Sequence, residues 1–388
     1  MDDNTAYSGR EATLVKHEVL RQYLEKLAYK VGTWANTLNY VDGFAGPWKS
    51  ATQDLSDTSP HIAIKMLRTA QVGLARINKF PTMRCLFVEE NQGAFQRLQE
   101  SVIAYTDIEV RVLQGEFEQR IPDVLRFVVA SDKPFTFFFI DPTGWTGFGM
   151  KAIAPVLQQP NSEALINFMT KDIKRFIDDP KSVALPRFID LFGATDYRDS
   201  WSGLTGQDRE DAIVETYCER VKAVGNYSYV VSAVVLHPTD QRTHFHLIYG
   251  TRSDIGLRTF RDVEARTMEQ QEKTRATAQQ NKRVKQSQQG ELFAPEDIGA
   301  GDHFTHLRER YLQRSREATK LLLQQRQRVS FDDLELFALS MPMTWSKDIS
   351  GWLNEWKQNG QVTFEGLESR ERTLKPKKGH IVTWIGSK

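Results

Sequence analysis

The chain has 388 residues, with 51 basic against 50 acidic side chains, 40% hydrophobic and 26% charged residues. These proportions lie near the globular average, which excludes a largely disordered chain and, by length, suggests two or three domains. No apolar run is long enough to span a bilayer, and the start Met1-Asp2-Asp3-Asn4 is acidic and polar. Neither a membrane span nor a secretory signal is expected, so the chain reads as soluble and cytoplasmic. Two cysteines, Cys85 and Cys218, cannot build a disulfide framework or a cysteine zinc site, and no metal centre is expected.

Residues 12–30 have a helical period in Leu14, Leu20, Leu24 and Leu27, with Lys16 and His17 inside it. The apolar run Leu38–Val41 then enters Asp42-Gly43-Phe44-Ala45-Gly46-Pro47, a strand leading into a glycine-rich turn. A polar stretch, 49–59, precedes a helix from Pro60 through Leu67, with Ser59 as its expected N-cap. The alternation continues. Strands are expected at Cys85–Val88, Val110–Leu113, Phe135–Ile140 and Leu165–Phe168, with helices near 91–104 and up to Val129. Strands apolar on both faces and alternating with helices indicate an α/β fold with a parallel sheet covered on both sides.

After a mostly helical stretch at 174–222, two more strands are expected, Tyr227–Leu236 and His244–Tyr249. Residues 261–305 are charged and Gln-rich, and read as a solvated helical connector or linker. The C-terminal part, 306–388, reads as helix, helix, helix, hairpin. Thr344 is the expected cap of the helix carrying Ile349, Trp352, Leu353 and Trp356. That order is that of a winged helix, a helix-turn-helix variant. The domains are therefore expected at 1–260, 261–305 and 306–388.

Ligands of such sheets lie at the carboxyl ends of the strands, so the residues there carry the functional reading. Gly43 and Gly46 let backbone approach a ligand, although any tight turn can use glycine. Glu89 ends the second strand, where a carboxylate can accept from both hydroxyls of a ribose. Its 47-residue separation from Asp42 exceeds the spacing of about 20 in a dinucleotide fold and argues against an NAD enzyme. Glu116 reads as an acceptor for an adenine amino group or as a solvated glutamate opening a helix. Asp141-Pro142 ends the most apolar strand. Proline restricts both residues there, and a carboxylate and carbonyl so held can accept both hydrogens of an exocyclic amine.

The stretches 41–47, Thr58-Ser59-Pro60, Phe87-Val88-Glu89 and Phe139-Ile140-Asp141-Pro142-Thr143-Gly144 resemble the three-Cys-motif partner protein family of bacteria. The stretches Phe245–Tyr249 and Gly256-Leu257 are similar too, and the resemblance covers about residues 14–388. It implies a Rossmann-like class I S-adenosylmethionine-dependent methyltransferase domain, akin to adenine-N6 methyltransferases of DNA and ribosomal RNA. The Lys16-His17 pair and Ser59-Pro60 are similar to features of the large-subunit rRNA enzyme. The family name refers to the cysteines of a genomic partner, a radical-S-adenosylmethionine-like protein, which becomes an expected partner. By this resemblance Asp42, Gly43, Phe44 and Gly46 would line the methionine part of S-adenosyl-L-methionine. Glu89 would hold its ribose, Glu116 its adenine, and Asp141 with Pro142 the target amine. The related motif Asp-Pro-Pro-Tyr stacks an aromatic residue on a flipped base. Here Thr143 and Gly144 intervene, and Trp145, one residue late, is the expected stacking surface.

Phe44 and Trp48 read as ligand contacts or as turn packing, and Cys85 as a small core residue. His244 and His246 are expected to share one polar strand face, with Phe245 on the other. His17 reads as a site residue or as a solvated helix position. Residues 301–388 hold 15 basic and 11 acidic side chains, so the first 300 residues carry net −3 within the total of +1. Arg370, Arg372, Lys375, Lys377 and Lys378 form the expected basic wing, suited to phosphates of DNA or RNA. Two functions compete. One is a nucleic-acid methyltransferase acting on an exocyclic amine. The other is a non-catalytic nucleic-acid- or protein-binding member of a bacterial defence or modification system.

Overall fold

The computed structural model describes residues 7, 9–46, 55, 57–130, 132–177, 185–288 and 294–386. Trp48 and most of the polar stretch before Ser59 lie outside them. The described residues divide into two compact units. One comprises residues up to 252 with 270–300, and the other comprises 253–269 with 301–388.

The first unit runs α1 (Glu11–Val31), β1 (Thr37–Asp42), α2 (Ser59–Ala75), β2 (Thr82–Glu89), α3 (Gln92–Val102), β3 (Glu109–Gln114) and α4 (Phe117–Val129). It continues with β4 (Pro134–Ile140), α5 (Met150–Leu157), β5 (Ser162–Phe168), α6 (Thr170–Phe176), α7 (Leu185–Phe192), α8 (Gly206–Gly225), β6 (Tyr229–Leu236) and β7 (Thr243–Thr251). The strands form one seven-stranded sheet in the order β3-β2-β1-β4-β5-β7-β6. The first five are parallel, and β7 runs antiparallel to both β5 and β6. This mixed α/β architecture with a mostly parallel sheet is consistent with the Rossmann-like methyltransferase fold expected from the sequence.

Every residue of β1 and β5 is buried, polar ones such as Asn39 and Glu163 included, as a sheet covered on both faces requires. On one face Val41, Val88, Phe138, Ile140 and Ile166 join the apolar sides of α4, α5, α7 and α8. On the other, Tyr40, Phe87 and Phe137 pack ring to ring and meet Tyr23 of α1. Burial of so many rings requires that their polar atoms be paired. Glu163 on β5 does this: its carboxylate accepts from Tyr23 (2.6 Å) and Thr251 (2.7 Å), and Tyr23 also bonds to the Tyr249 hydroxyl.

The Gln-rich segment is helical, as one of the expected readings has it, but one side of it is buried rather than solvated. It is one helix, α9 (Asp254–Ser287), in which Arg261, Glu264, Gln271 and Arg275 are buried. Composition alone hides this because the buried positions are polar and satisfied. Gln271 accepts the N–H of Leu236, and Arg275 donates to the carbonyl of His237, both in the first unit. In the second unit Arg261 donates to Glu264 and to the carbonyls of Leu339 and Met341.

After the short α10 (Pro295–Ile298), the second unit holds α11 (His303–Arg326), β8 (Arg328–Ser330), α12 (Phe331–Leu339), α13 (Ser346–Gln358), β9 (Val362–Glu365) and β10 (Ile381–Trp384). Its three strands pair antiparallel in the order β8-β10-β9. The three-residue β8 has too short a pattern to read from sequence. Thr344 does not cap α13: its hydroxyl donates to Ser315, and Asp348 accepts the N–H of Trp345 instead. Among the described residues no helix is long and apolar enough to cross a membrane.

Removing the shared acceptor of the Tyr23–Thr251 pair should be costly. Glu163→Ala is expected to lower stability by about 2–4 kcal/mol in urea unfolding, whereas Glu163→Gln, which retains an acceptor, should lose about half as much or less.

Candidate functional site

The carboxyl ends of β1, β4 and β5 open onto a cavity of about 310 Å³. Its floor is a cluster built on Asp141, the first residue beyond β4. Lys16 of α1 donates to Oδ2 of Asp141 (2.5 Å), and Nδ2 of Asn167 donates to Oδ1 (2.7 Å). The Lys16 and Asp141 side chains are only 11% and 13% exposed. Asn167 is buried, and its own Oδ1 has no hydrogen-bond partner. Buried acceptors are almost always satisfied, and this orphan, itself closed off from solvent, belongs to a residue that lines the cavity. The sequence reading missed Asn167, although the signal was available: a polar residue at the carboxyl end of an otherwise apolar strand, Leu165-Ile166-Asn167-Phe168.

Asp42 does not line this cavity. It is fully buried and acts as a brace: Oδ1 accepts the N–H of Phe44 (3.0 Å) and Oδ2 accepts the Ser59 hydroxyl (2.7 Å). Ser59 therefore does not cap α2; its hydroxyl is spent on Asp42, and Thr58 occupies the cap position. The brace fixes the turn after β1, so that Phe44 and Gly46 line the cavity with Pro142 and Ser59. Gly43 answers a packing need. A Cβ there would sit 2.8 Å from the Phe117 ring at the start of α4.

Glu89 ends β2 as expected, buried, with Oε1 accepting the N–H of Asn91 (2.7 Å). Burial raises its pKa above the usual carboxylate value. Glu116 lies exposed beyond β3, and its carboxylate accepts from Gln119 (2.8 Å). Neither lines the cavity, although both stand at strand ends along the same sheet edge. Trp145 is not where a stacking residue was expected. Its ring lies flat on Phe188 at 4.2 Å and packs against the apolar cluster under α5. The aromatic rings that line the cavity are Phe44 and Phe245.

Phe245 reaches the cavity together with its neighbour His244, which strict alternation forbids. The pairing passes from Val235–Phe245 to Leu236–Thr243, so His244 is the extra residue of a bulge, which re-aims side chains. His246 instead is buried and bonded to Thr170 (2.6 Å), so the two histidines share no ligand-binding face. Among the described residues no group of three His, Cys, Asp or Glu side chains could hold a metal ion.

His17 also lines the cavity, behind Lys16. Its Nδ1 meets the Tyr7 hydroxyl (3.0 Å), which donates to the carbonyl of Asp57 (3.1 Å), and Arg10 pairs with the Asp57 carboxylate (2.6 Å). A hydroxyl has one proton, so Nδ1 of His17 is the donor in that bond. Arg370, Arg372, Lys375, Lys377 and Lys378, the residues of the expected wing, are all exposed, between β9 and β10 of the second unit. Lys375 and Lys378 are each paired with a glutamate of the same loop, Glu371 and Glu368.

No protein-family model and no curated protein matches the chain. Among solved structures, a loganic acid methyltransferase with SAH aligns at a TM-score of 0.30 and 12% identity, over 67% of this chain and 83% of that one. So slight a likeness carries no argument, and the site stands on its own geometry.

Two buried groups make opposite contributions to stability in acid. Burial pushes Asp42 up to about 7, against the hydrogen bonds from Ser59 and Phe44. Burial, and next the Lys16 charge, push His17 down to about 3. Between about pH 4 and 6.5 the folded chain therefore holds one proton more than the unfolded chain on Asp42 and one fewer on His17. Acidification through this range stabilises through Asp42 and destabilises through His17, each by about 1.4 kcal/mol per pH unit. Asp42→Asn should accordingly lose stability more steeply than the parent as pH falls, and His17→Phe less steeply. Urea unfolding across the range checks both signs.

Proposed function

We propose that the chain is an S-adenosylmethionine-dependent methyltransferase that modifies an exocyclic amine of a nucleic acid. The observation that carries the reading is the Asp141 carboxylate, held by Lys16 and Asn167 beside Pro142 at a cavity on the strand ends. The Asp141 carboxylate and the adjoining Pro142 peptide supply acceptors side by side, which is what an amine with two N–H bonds requires. A hydroxyl target would leave one acceptor unpaired, at a cost of about 1–3 kcal/mol.

The residues present fit the cofactor. The braced turn Phe44-Ala45-Gly46 brings backbone to the cavity. Glu89 at the next strand end has the two acceptor oxygens that a ribose diol needs, one of them already used by Asn91. When bound, S-adenosylmethionine supplies an electrophilic methyl group on a sulfonium. The chain's part is to hold the amine by its N–H bonds so that the lone pair stays free, and to accept the proton released once nitrogen has gained the methyl. Asp141 is placed for both tasks. Lys16 fixes one of its oxygens and Asn167 the other, which limits the carboxylate to one orientation. Phe44 and Phe245 offer the aromatic surface for a base in place of Trp145.

The second unit supports a winged-helix reading. Helix, strand, two helices and hairpin, with β8-β10-β9 pairing, is the order of that module, and the five exposed cations lie in its wing. A three-cysteine-motif partner protein belongs to the same proposal, on the resemblance of the motifs. One observation favours the competing, non-catalytic reading: Trp145 is committed to Phe188, so no aromatic residue follows Asp141-Pro142 as a stacking partner.

Incubation with methyl-labelled S-adenosylmethionine and DNA, total RNA or tRNA separates the two. Label should pass to one nucleic acid and fall by about 100-fold or more in Asp141→Ala, with cofactor binding retained in calorimetry. Asn167→Leu should lose about 10-fold, chiefly in KM for the acceptor. Cofactor binding without transfer to any of the three would establish the non-catalytic reading.

A further inference from the structure

A second cavity, of about 690 Å³, shares Arg10, Thr13 and His244 with the first and is completed by His237, Lys282 and Lys285. All of it lies within the first unit. The two cavities differ in charge. In the first, Lys16 and Arg10 are matched by Asp141 and Asp57. In the second, Arg10, Lys282 and Lys285 face Glu11, and around its histidines stand Arg242 and Lys171 against Asp240. Asp240 is shared between Arg242 (3.2 Å) and Lys282 (3.5 Å), and Asp57 is held by Arg10. Five cations thus stand against three anions. The histidines register the excess. Burial is the first cause of the lowered pKa of His237 and of His244, which falls to about 4, and Lys171 and Arg242 add to both.

A neutral, aromatic-lined cavity that shares lining residues with a cationic one matches a nucleotide divided into its parts, the base in one and the flanking phosphates in the other. We propose that the groove of Arg10, His237, His244, Lys282 and Lys285 holds the phosphodiester backbone beside the target nucleotide. This rests on the proposed function, and it places a backbone site in the α/β unit itself, apart from the basic loop of the second unit. Lys282 and Lys285 are exposed on the last turns of α9, so their replacement should leave the fold intact.

The test uses the full chain, with short fluorescein-labelled single-stranded DNA and RNA oligonucleotides titrated over a range of salt. K282A/K285A should weaken binding about 10-fold at low salt and make the slope of log K against log salt shallower by about 1.4, with S-adenosylmethionine affinity unchanged. K282R/K285R should keep the parent slope. If the parent binds and the alanine pair leaves slope and affinity unaltered, the groove is not the backbone site, while the proposed function stands. If the parent binds neither oligonucleotide, the nucleic-acid reading falls and this inference with it.

Discussion

The carboxylate of Asp42 reaches no solvent, and the carboxyl edge of the sheet is arranged around satisfying it. A buried carboxylate is tolerable only when its oxygens are hydrogen-bonded or its proton is retained. Here the Phe44 N–H and the Ser59 hydroxyl meet that requirement. The consequence is geometric. The turn after β1 is tied to the first residue of α2, and the turn backbone is left facing Pro142 across the cavity. Asp141 repeats the pattern one strand further on, with Lys16 and Asn167 as its partners. Asp42 spends its bonding on architecture, and Asp141 keeps its place beside open space.

Much of this edge was legible in the sequence because parallel strands announce themselves. Leu38–Val41 and Phe135–Ile140 are apolar except for Asn39 and Thr136, so the acidic residue after each stands out as a strand end. The same logic located Glu89. What it could not do is distinguish a brace from a ligand contact, because the register that pairs Asp42 with Phe139 and carries Asp141 two residues further out is not visible in the sequence. Gly43 shows the same limit: its need for a missing side chain comes from Phe117, 74 positions later in a chain of 388.

The other misreadings have specific causes. The period-two rule placed His244 and Phe245 on opposite faces, and a bulge, invisible to periodicity, brought both to one cavity. Trp145 was assigned by its distance from Asp141-Pro142, but its apolar area found Phe188, which lies on a helix that the sequence reading had not resolved. The Gln-rich stretch looked solvated because its buried side chains are polar. Arg261 and Arg275 are buried by satisfying carbonyls, which composition does not reveal.

The reversed direction of β7 has a further consequence. Parallel strands reach the carboxyl edge only with their last residues, whereas an antiparallel neighbour arrives there with its first. Leu247 pairs with Asn167 and His246 with Phe168, so the residues just before them, His244 and Phe245, lie at the same edge. The cavity is thus assembled from two parts of the gene. One is α1 with the strand-end motifs up to Asn167, and the other is a segment some 75 residues later. Variation at 243–245 can therefore reshape what the cavity admits while the braced turn is inherited unchanged.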